Sequence, residues 1–211
     1  MQLGVDEAGK GPVLGSMFAA CVRSTPEVLP EAVADSKRLS AEQRERLARE
    51  VREQADGVSV VEIPVERIDD PETDMNELTV RAHARALDAL GDDGLKGYVD
   101  AADTNAVRFE RRVSKRVGPT LDLRAEHGAD ESYAVVSAAS IVAKVERDAH
   151  IGELTAEYGE LGSGYPSDST TREFLHSFVQ SEGELPACAR RSWQTSQDML
   201  ADLDQSSLGD F

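Results

Sequence analysis

The sequence predicts an α/β protein with one mixed β-sheet, helices packed on that sheet and a helical carboxy-terminal part. Three observations predict this class. Short segments rich in β-branched residues alternate with longer segments of helical period as far as residue 126. From residue 129 onward the pattern is mostly helical. At 211 residues the chain can bury one complete core, so a second large domain is not expected.

Five strands are predicted, and the opening one leads into a glycine-rich turn. The second is an apolar run that follows this turn at the distance of a hairpin. The third alternates between apolar and polar residues, as a half-buried strand does. The fourth is short and ends on an acid. The last four strands cover residues 13–22, 58–65, 97–100 and 120–126.

The predicted helices carry clear start and stop signals. Ser40 and Gln43 have the spacing of a capping box at the start of the first helix. Gly91 and Gly118 stop the next two, because glycine favours the residue after a helix end. The helices cover residues 39–55, 76–91, 104–118, 129–159, 170–180 and 193–203.

The formal charge of −17 argues against a nucleic-acid partner, because such proteins usually present a basic face. The rest of the composition changes this interpretation. Arginine outnumbers lysine 18 to 5, aromatic residues are few, and acids are spread along the whole chain. This is typical of a protein kept soluble in concentrated salt, where the Debye length is roughly 3 Å near 1 M. We therefore expect a halophilic protein and leave the partner open.

The remaining composition indicates a soluble, cytoplasmic protein, which we expect to be a monomer. The amino terminus has no apolar signal region, and no apolar run approaches the roughly 18 to 20 residues of a membrane-spanning helix. Cys21 and Cys188 are predicted to be free thiols. With no C-x-x-C motif and four scattered histidines, the sequence disfavours a zinc site.

The opening segment GVDEAGKGP, residues 4–12, allows two interpretations. It begins like the phosphate-binding G-x-x-x-x-G-K loop, but Gly11 stands where that loop needs Ser or Thr. Pro12 and a strand follow where the loop's helix should begin, and Asp6 and Glu7 would repel phosphate. Carboxylates at a strand end instead suit Mg²⁺ or Mn²⁺.

Asp100 and Asp130 are candidates to complete a metal site with these two acids. Asp100 ends a short strand and Asp130 lies where a long helix begins, so a sheet and its packing helix could bring them to one edge. Two cations roughly 3.5 to 4 Å apart can activate water and stabilise a leaving oxygen at a phosphodiester. The alternative is that both are ordinary helix caps.

Five motifs in order carry a family resemblance. The segments GVDEAGKGPVLG, DSKRLS, YVDAAD, EHGADESYAVVSAASIVAKVERD and GSGYPSD, followed by RRSWQT, occur in the order and at the intervals of the type 2 ribonuclease H (ribonuclease HII) family. The chain resembles its archaeal members from residue 4 to about 195. The resemblance implies a ribonuclease H-like mixed five-stranded sheet flanked by helices. It also implies a catalytic domain over residues 1–160, a helical extension over 161–204 and a flexible tail over 205–211.

The resemblance implies hydrolysis of the RNA strand of RNA/DNA hybrids and cleavage on the 5′ side of a ribonucleotide embedded in duplex DNA. The products would carry a 3′-hydroxyl and a 5′-phosphate. The family's metal-binding acids, which hold two Mg²⁺ or Mn²⁺ ions, carry over to Asp6, Glu7, Asp100 and Asp130.

The resemblance also assigns substrate contacts. The glycine-basic-glycine motif that reads the ribose 2′-hydroxyl through its backbone falls on Gly9, Lys10 and Gly11, here called the glycine turn. Lys10 departs from the usual arginine and cannot form a bidentate fork. Tyr165 matches a tyrosine that stacks on the sugar at the RNA-to-DNA junction; the alternative is a surface tyrosine in a turn. The matched phosphate-contacting lysines are Lys37 and Lys144, the latter alternatively a solvated helix lysine.

Two features lie outside this core. Arg108, Arg111, Arg112, Lys115 and Arg116 share one face of a predicted helix, where they either follow a phosphate backbone or pair with nearby acids, the interpretation we favour. The tail QSSLGDF places Gln205, Leu208 and Phe211 in a Q-x-x-L-x-x-F pattern. This is similar to peptides that dock on the sliding clamp as one helical turn.

Two functions of another class remain as alternatives to an enzyme. A non-catalytic nucleic-acid-binding module of the same fold would have lost its chemistry, which the presence of all four acids argues against. A P-loop nucleotide-binding switch would show a nucleotide affinity that depends on Lys10.

Overall fold

The computed structural model describes residues 1–33 and 39–208, with side chains described as far as residue 203. Its strands are β1 (Gln2–Ala8), β2 (Met17–Ser24), β3 (Gly57–Ile63), β4 (Lys96–Asp100) and β5 (Asp122–Glu126). Its helices are α1 (Ala41–Gln54), α2 (Val65–Ile68), α3 (Met75–Asp88), α4 (Ala106–Ser114), α5 (Ala129–Ser132), α6 (Ala134–Tyr158), α7 (Ser169–Glu182) and α8 (Gln194–Leu208). A 3₁₀ turn, Pro26–Val28, follows β2.

The five strands form one mixed sheet in the order β3-β2-β1-β4-β5. β2 runs antiparallel to both β1 and β3, whereas β4 runs parallel to β1 and β5. This confirms the predicted fold class. The parallel pairing of β1 and β4 aligns Val5 with Val99. The residues that follow these two, at the carboxyl ends of both strands, therefore lie at the same edge of the sheet.

Helices cover both faces of the sheet. α3 and α4 pack on one face in a cluster that includes Leu3, Val99 and Phe109. On the other face α1 and α6 form a second cluster, and α6 lies directly against β1. Gly4 permits this close approach, because a Cβ there would lie 2.2 Å from the backbone carbon of Val135.

The predicted second strand begins too early. The structure starts β2 at Met17, and Val13 and Leu14 instead lie in a third cluster beneath α7 and α8. The amides of Val13 and Leu14 donate to the carbonyl oxygen of Gly164, at 2.8 and 3.2 Å. The apolar run over residues 13–22 thus contributes to two hydrophobic clusters. Its hydrophobicity alone could not locate the first residue of β2.

Most other elements follow the sequence with differences at their ends, but the helix predicted over residues 129–159 is interrupted by the extended residue Tyr133 and forms α5 and α6. Ser40 and Gln43 form the predicted capping box of α1. α8 continues to Leu208, five residues beyond the predicted end, so the first part of the predicted tail is helical in backbone. The four-residue helix α2 was not predicted. Both cysteines are free thiols, as expected. No helix among the described residues is long and apolar enough to cross a membrane.

Candidate active site

The structure brings the four predicted acids to one edge of the sheet. Asp6 and Glu7 occupy the end of β1, and Asp100 is the last residue of the neighbouring strand β4. Asp130 lies in the first turn of α5, which follows β5. Asp6 is buried, with 6% of its surface exposed, and its Oδ1 accepts the amide hydrogen of Glu7 at 2.7 Å.

The acids interact unfavourably with one another. Burial raises the pKa of Asp6 well above its usual value, and repulsion from Glu7 and Asp100 raises it further. Burial also raises the pKa of Asp100; the hydrogen bond from the amide of Ala129 lowers it, and repulsion from Glu7 and Asp130 raises it. This edge of the sheet therefore favours whatever neutralises it, either protons or cations.

The helix-cap alternative applies to Asp100 but not to Asp130. The N-cap position of α5 belongs to Gly128, in the left-handed region at φ 67°, so Asp130 is not a cap. Asp100, by contrast, accepts the amide hydrogen of Ala129, the first residue of α5, at 2.9 Å. One carboxylate thus both joins β4 to α5 and faces the other acids.

The four carboxylates form a donor set that suits divalent cations. Among the described side chains, no group of three or more His, Cys, Asp or Glu residues is arranged to hold a metal ion. Asp6 accepts from the amide of Glu7 and Asp100 from that of Ala129, while Glu7 contacts a histidine. A divalent cation bound by these carboxylate oxygens would relieve the mutual repulsion of the acids.

That histidine is His83 on α3, which the sequence did not single out. Its Nε2 lies 2.7 Å from Oε2 of Glu7, and the side chain is completely buried. Its ring packs edge-on against Phe109, with the centroids 5.2 Å apart. A lone histidine on the apolar face of a helix carries no local signal of such a contact.

The carboxy-terminal extension holds the glycine turn by its carbonyl groups. Arg190 donates to the carbonyl oxygens of Gly9, Lys10 and Gly15 at 2.5, 3.0 and 2.9 Å, and Trp193 Nε1 donates to that of Gly11 at 3.1 Å. Arg190 is fully buried, and within the described chain no carboxylate forms an ion pair with it. Burial lowers its pKa to about 10, with a contribution from Arg147.

Glycine is required at the first position of the turn. Gly9 has φ 89°, and a Cβ there would lie 2.9 Å from the carbonyl oxygen of Ser16. Lys10 has a structural role, since its ammonium group donates to the carbonyl oxygen of Ala102 at 2.7 Å and to Oδ1 of Asn76 at 3.0 Å. The lysine side chain therefore ties the turn to α3 and to the segment that follows β4.

Tyr165 lies next to the glycine turn. Its side chain is 40% exposed, and a Cβ on Gly11 would lie 3.6 Å from its ring. The guanidinium carbon of Arg147 on α6 is 5.2 Å from the ring centroid. Arg147 is largely buried and also donates to the carbonyl oxygen of Ser163. The sugar-stacking contact stays a prediction, and an exposed aromatic face beside the turn is what it requires.

Of the two matched lysines, the structure describes one. Lys144 Nζ donates to Oγ of Ser140 at 2.8 Å, and Ser140 in turn hydrogen-bonds Asp6. Lys144 is half-buried, and its contact with phosphate stays a prediction. Lys37 lies outside the described residues, as does Phe211. The side chains of Gln205 and Leu208 are also outside the described part.

Three of the five basic residues predicted to share a helix face pair with acids, the interpretation favoured from the sequence. Arg112 and Arg116 both bind Glu77 on α3, at 2.9 and 2.8 Å. Arg108 binds Asp103 at 2.5 Å and its hydrogen bond holds the pKa of that carboxyl at about 2. These arginines thus fasten α4 to its neighbours.

A mixed five-stranded sheet with helices on both faces, and a cluster of carboxylates at one edge, places the molecule in the ribonuclease H-like fold class. The family model for ribonuclease HII matches residues 3–196. The chain belongs to the ribonuclease HII family, an enzyme family with ribonuclease H activity on RNA/DNA hybrids.

Individual relatives agree along the whole chain. A ribonuclease HII of Haloarcula marismortui is 62% identical over 211 residues, covering 100% of both chains. The crystal structure of a ribonuclease H2 from Pyrococcus horikoshii OT3 has a TM-score of 0.90 at 37% identity, covering 96% of this chain and 98% of that one. The PCNA:RNase HII complex of Archaeoglobus fulgidus gives a TM-score of 0.85 at 38% identity, with 100% of both chains covered.

Proposed function

We propose that this protein is a metal-dependent endonuclease. It cleaves the RNA strand of hybrids and cuts on the 5′ side of single ribonucleotides embedded in duplex DNA, leaving a 3′-hydroxyl and a 5′-phosphate. The observation that carries the proposal is the position of four mutually repelling carboxylates beside a glycine turn and an exposed tyrosine. We propose that it acts in the cytoplasm as a monomer.

The acids have a defined task in this proposal. Asp6, Glu7, Asp100 and Asp130 would hold two Mg²⁺ or Mn²⁺ ions, since hard cations prefer carboxylate oxygens. Bound there, such ions supply Lewis-acid stabilisation of charge at the scissile phosphate and an activated water. The burial of Asp6 keeps bulk water from screening these charges.

The neighbouring residues recognise the substrate. Arg190 and Trp193 draw the carbonyl groups of the glycine turn inward, which leaves its outer side for the ribose. Backbone groups there can approach the 2′-hydroxyl, the group that separates RNA from DNA. Tyr165 supplies a face for the adjoining sugar, and Lys144, together with Lys37, contacts phosphate.

Cleavage of a duplex that carries one ribonucleotide, with Mg²⁺ or Mn²⁺ present, tests the proposal. The Asp130→Asn variant should lose cleavage and keep its affinity for the duplex, which separates an enzyme from a binding module. A wild-type protein that binds the duplex without cutting it would instead support the binding module. A nucleotide affinity that is lost in Lys10→Ala would support the P-loop alternative. The hydrogen bonds of Lys10 to Ala102 and Asn76 argue against it.

The carboxy-terminal tail is proposed to bind the sliding clamp. The Archaeoglobus fulgidus relative has been solved in complex with PCNA, and this chain ends in a Q-x-x-L-x-x-F pattern. Deleting residues 205–211 should leave intrinsic cleavage unchanged and remove clamp-stimulated cleavage, because Leu208 and Phe211 would fill an apolar groove. Clamp affinity measured by surface plasmon resonance checks this, with a shuffled tail as the control. Equal affinity of the full-length and truncated proteins would refute it.

Salt should support both folding and cleavage. The 40 acids and 23 bases leave a large negative excess, whose repulsion extends roughly 10 Å in 0.1 M salt but only about 3 Å in 1 M. We expect the melting temperature and the cleavage rate to be highest in molar KCl and to fall as salt is diluted. Parallel titrations of both quantities against KCl check this. Maximal activity at low ionic strength would contradict it.

A further inference from the structure

We propose that His83 is a positioning residue that holds the Glu7 carboxylate in place for divalent-cation binding. The inference rests on the proposed metal-dependent function and extends it to a residue of α3, far from the other candidate site residues in sequence. Three features of the structure carry it: the contact itself, the fixed position of the imidazole ring, and the charges that surround Glu7.

The contact is short, and its direction follows from the proposed role of Glu7. His83 Nε2 and Glu7 Oε2 are 2.7 Å apart, at the short end of the range for a hydrogen bond to a charged group. A carboxylate that binds a cation offers only acceptors, so in that role Nε2 carries the hydrogen and donates it. The glutamate side chain is 12% exposed and the histidine 0%, so water competes little for this bond.

The imidazole is held rigidly and makes its polar contact in one direction. Its ring meets Phe109 at an interplanar angle of 89°, within the core between α3, α4 and the sheet. Its Nδ1 is buried with no hydrogen-bond partner among the described residues. Burying an unpaired polar atom is unfavourable, and leucine would fill the same space without it. The gain that offsets this penalty is the contact with Glu7.

The surroundings show what the contact does. Glu7 lies close enough to Asp6 and Asp100 to repel both carboxylates. Without a donor behind it, the Glu7 side chain would be driven away from them toward solvent. His83 holds one oxygen and leaves the second available to a cation. Such supporting hydrogen bonds to metal ligands typically change metal affinity about 10–100-fold when removed.

Three variants of this residue test the inference. His83→Gln keeps an N–H donor at the same distance along the side chain as Nε2, His83→Asn shortens it by one bond, and His83→Leu removes it. Mn²⁺ binding to each folded protein is measured by calorimetry in molar KCl. We expect wild-type affinity in the Gln variant and about 10–100-fold weaker binding in the Leu and Asn variants. Saturating Mn²⁺ should restore most of the cleavage rate, because the metal requirement changes more than kcat.

Thr79→Val provides the matched control. Thr79 is equally buried, lies one turn earlier on α3, and donates to the carbonyl oxygen of Met75. This variant should bind Mn²⁺ as the wild type does. Wild-type affinity in His83→Leu, or equal losses in His83→Leu and Thr79→Val, would overturn the inference. If His83→Leu does not fold, the Gln and Asn variants decide. A wild-type protein that binds no Mn²⁺ would contradict the proposed metal-dependent function as well.

Discussion

Replacing Asp6 by asparagine is expected to lower the rate of ribonucleotide cleavage by about 10³-fold or more, or roughly 4 kcal/mol of transition-state stabilisation. Asparagine preserves the shape of the side chain and its contact with the amide of Glu7, so the fold should remain intact. It removes the charge that a divalent cation would bind. Single-turnover cleavage of a duplex with one ribonucleotide, at saturating Mg²⁺, measures the loss.

The same substitution should stabilise the metal-free protein. The raised pKa of Asp6 means that its ionised form is disfavoured in the fold, so removal of the charge should increase the melting temperature in the presence of a chelator. The sign follows from linkage. A carboxyl whose pKa is higher in the folded state than in the unfolded chain destabilises the fold fully above its folded pKa, so the advantage of the variant should shrink as pH falls from the folded pKa to the unfolded one. A loss of activity with a lower melting temperature would indicate misfolding.

Asp56→Asn is the control for both measurements. Asp56 is an exposed acid that lies near Met1, at the other end of β1 from Asp6. Its replacement should change neither the cleavage rate nor the stability by more than the usual effect of a surface substitution, within about 0.5 kcal/mol. Equal cleavage rates of the Asp6→Asn and Asp56→Asn variants would show that Asp6 is not part of the active site.

Replacing Arg190 is expected to produce the largest combined loss of stability and activity. Arg190→Met leaves three buried or partly buried carbonyl oxygens without their donor, at about 1–3 kcal/mol each, so a total loss of at least about 3 kcal/mol is expected. Arg190→Lys should recover only part of this, because an ammonium group cannot reproduce the planar fork. Urea unfolding in molar KCl measures the stability of each variant.

The activity of Arg190→Lys should fall even where the protein is folded. A glycine turn held by fewer hydrogen bonds would misplace the backbone groups that face the ribose, and small displacements cost on the order of 10²-fold in rate. We expect kcat/KM for an embedded ribonucleotide to fall while Mn²⁺ affinity is retained. Arg191, the exposed neighbour, provides the control variant Arg191→Lys. Wild-type stability and kcat/KM in Arg190→Lys would contradict the assigned role.

The sequence predicted the sheet because its local signals and its tertiary contacts agree. The alternation in β3 and the capping box at Ser40 are local patterns, and both elements formed where they indicated. The glycine stops were less accurate, because α3 ends at Asp88 and α4 at Ser114, before Gly91 and Gly118. The start of β2 was wrong because Val13 and Leu14 pack against the carboxy-terminal helices. Those helices lie far along the chain, so no local pattern reports which core an apolar residue joins.

The candidate site was likewise only partly predictable from the sequence. Acids at strand ends could be predicted to meet, since parallel neighbours share an edge and Val5 pairs with Val99. The contacts of His83 and Arg190 could not be predicted. His83 lies 76 positions from Glu7 in the sequence, and Arg190 lies 181 positions from Gly9. Neither lies in a periodic pattern that marks it. Contacts of this kind depend on the assembled fold, and only the structure shows them.

The central claim is that Asp6, Glu7, Asp100 and Asp130 together bind divalent cations. A crystal structure with Mn²⁺, located by anomalous scattering, tests it most directly. We predict two Mn²⁺ ions about 3.5 to 4 Å apart, coordinated by oxygens of these four side chains. Mn²⁺ bound elsewhere, with the four carboxylates uncoordinated at saturating metal, would contradict the account.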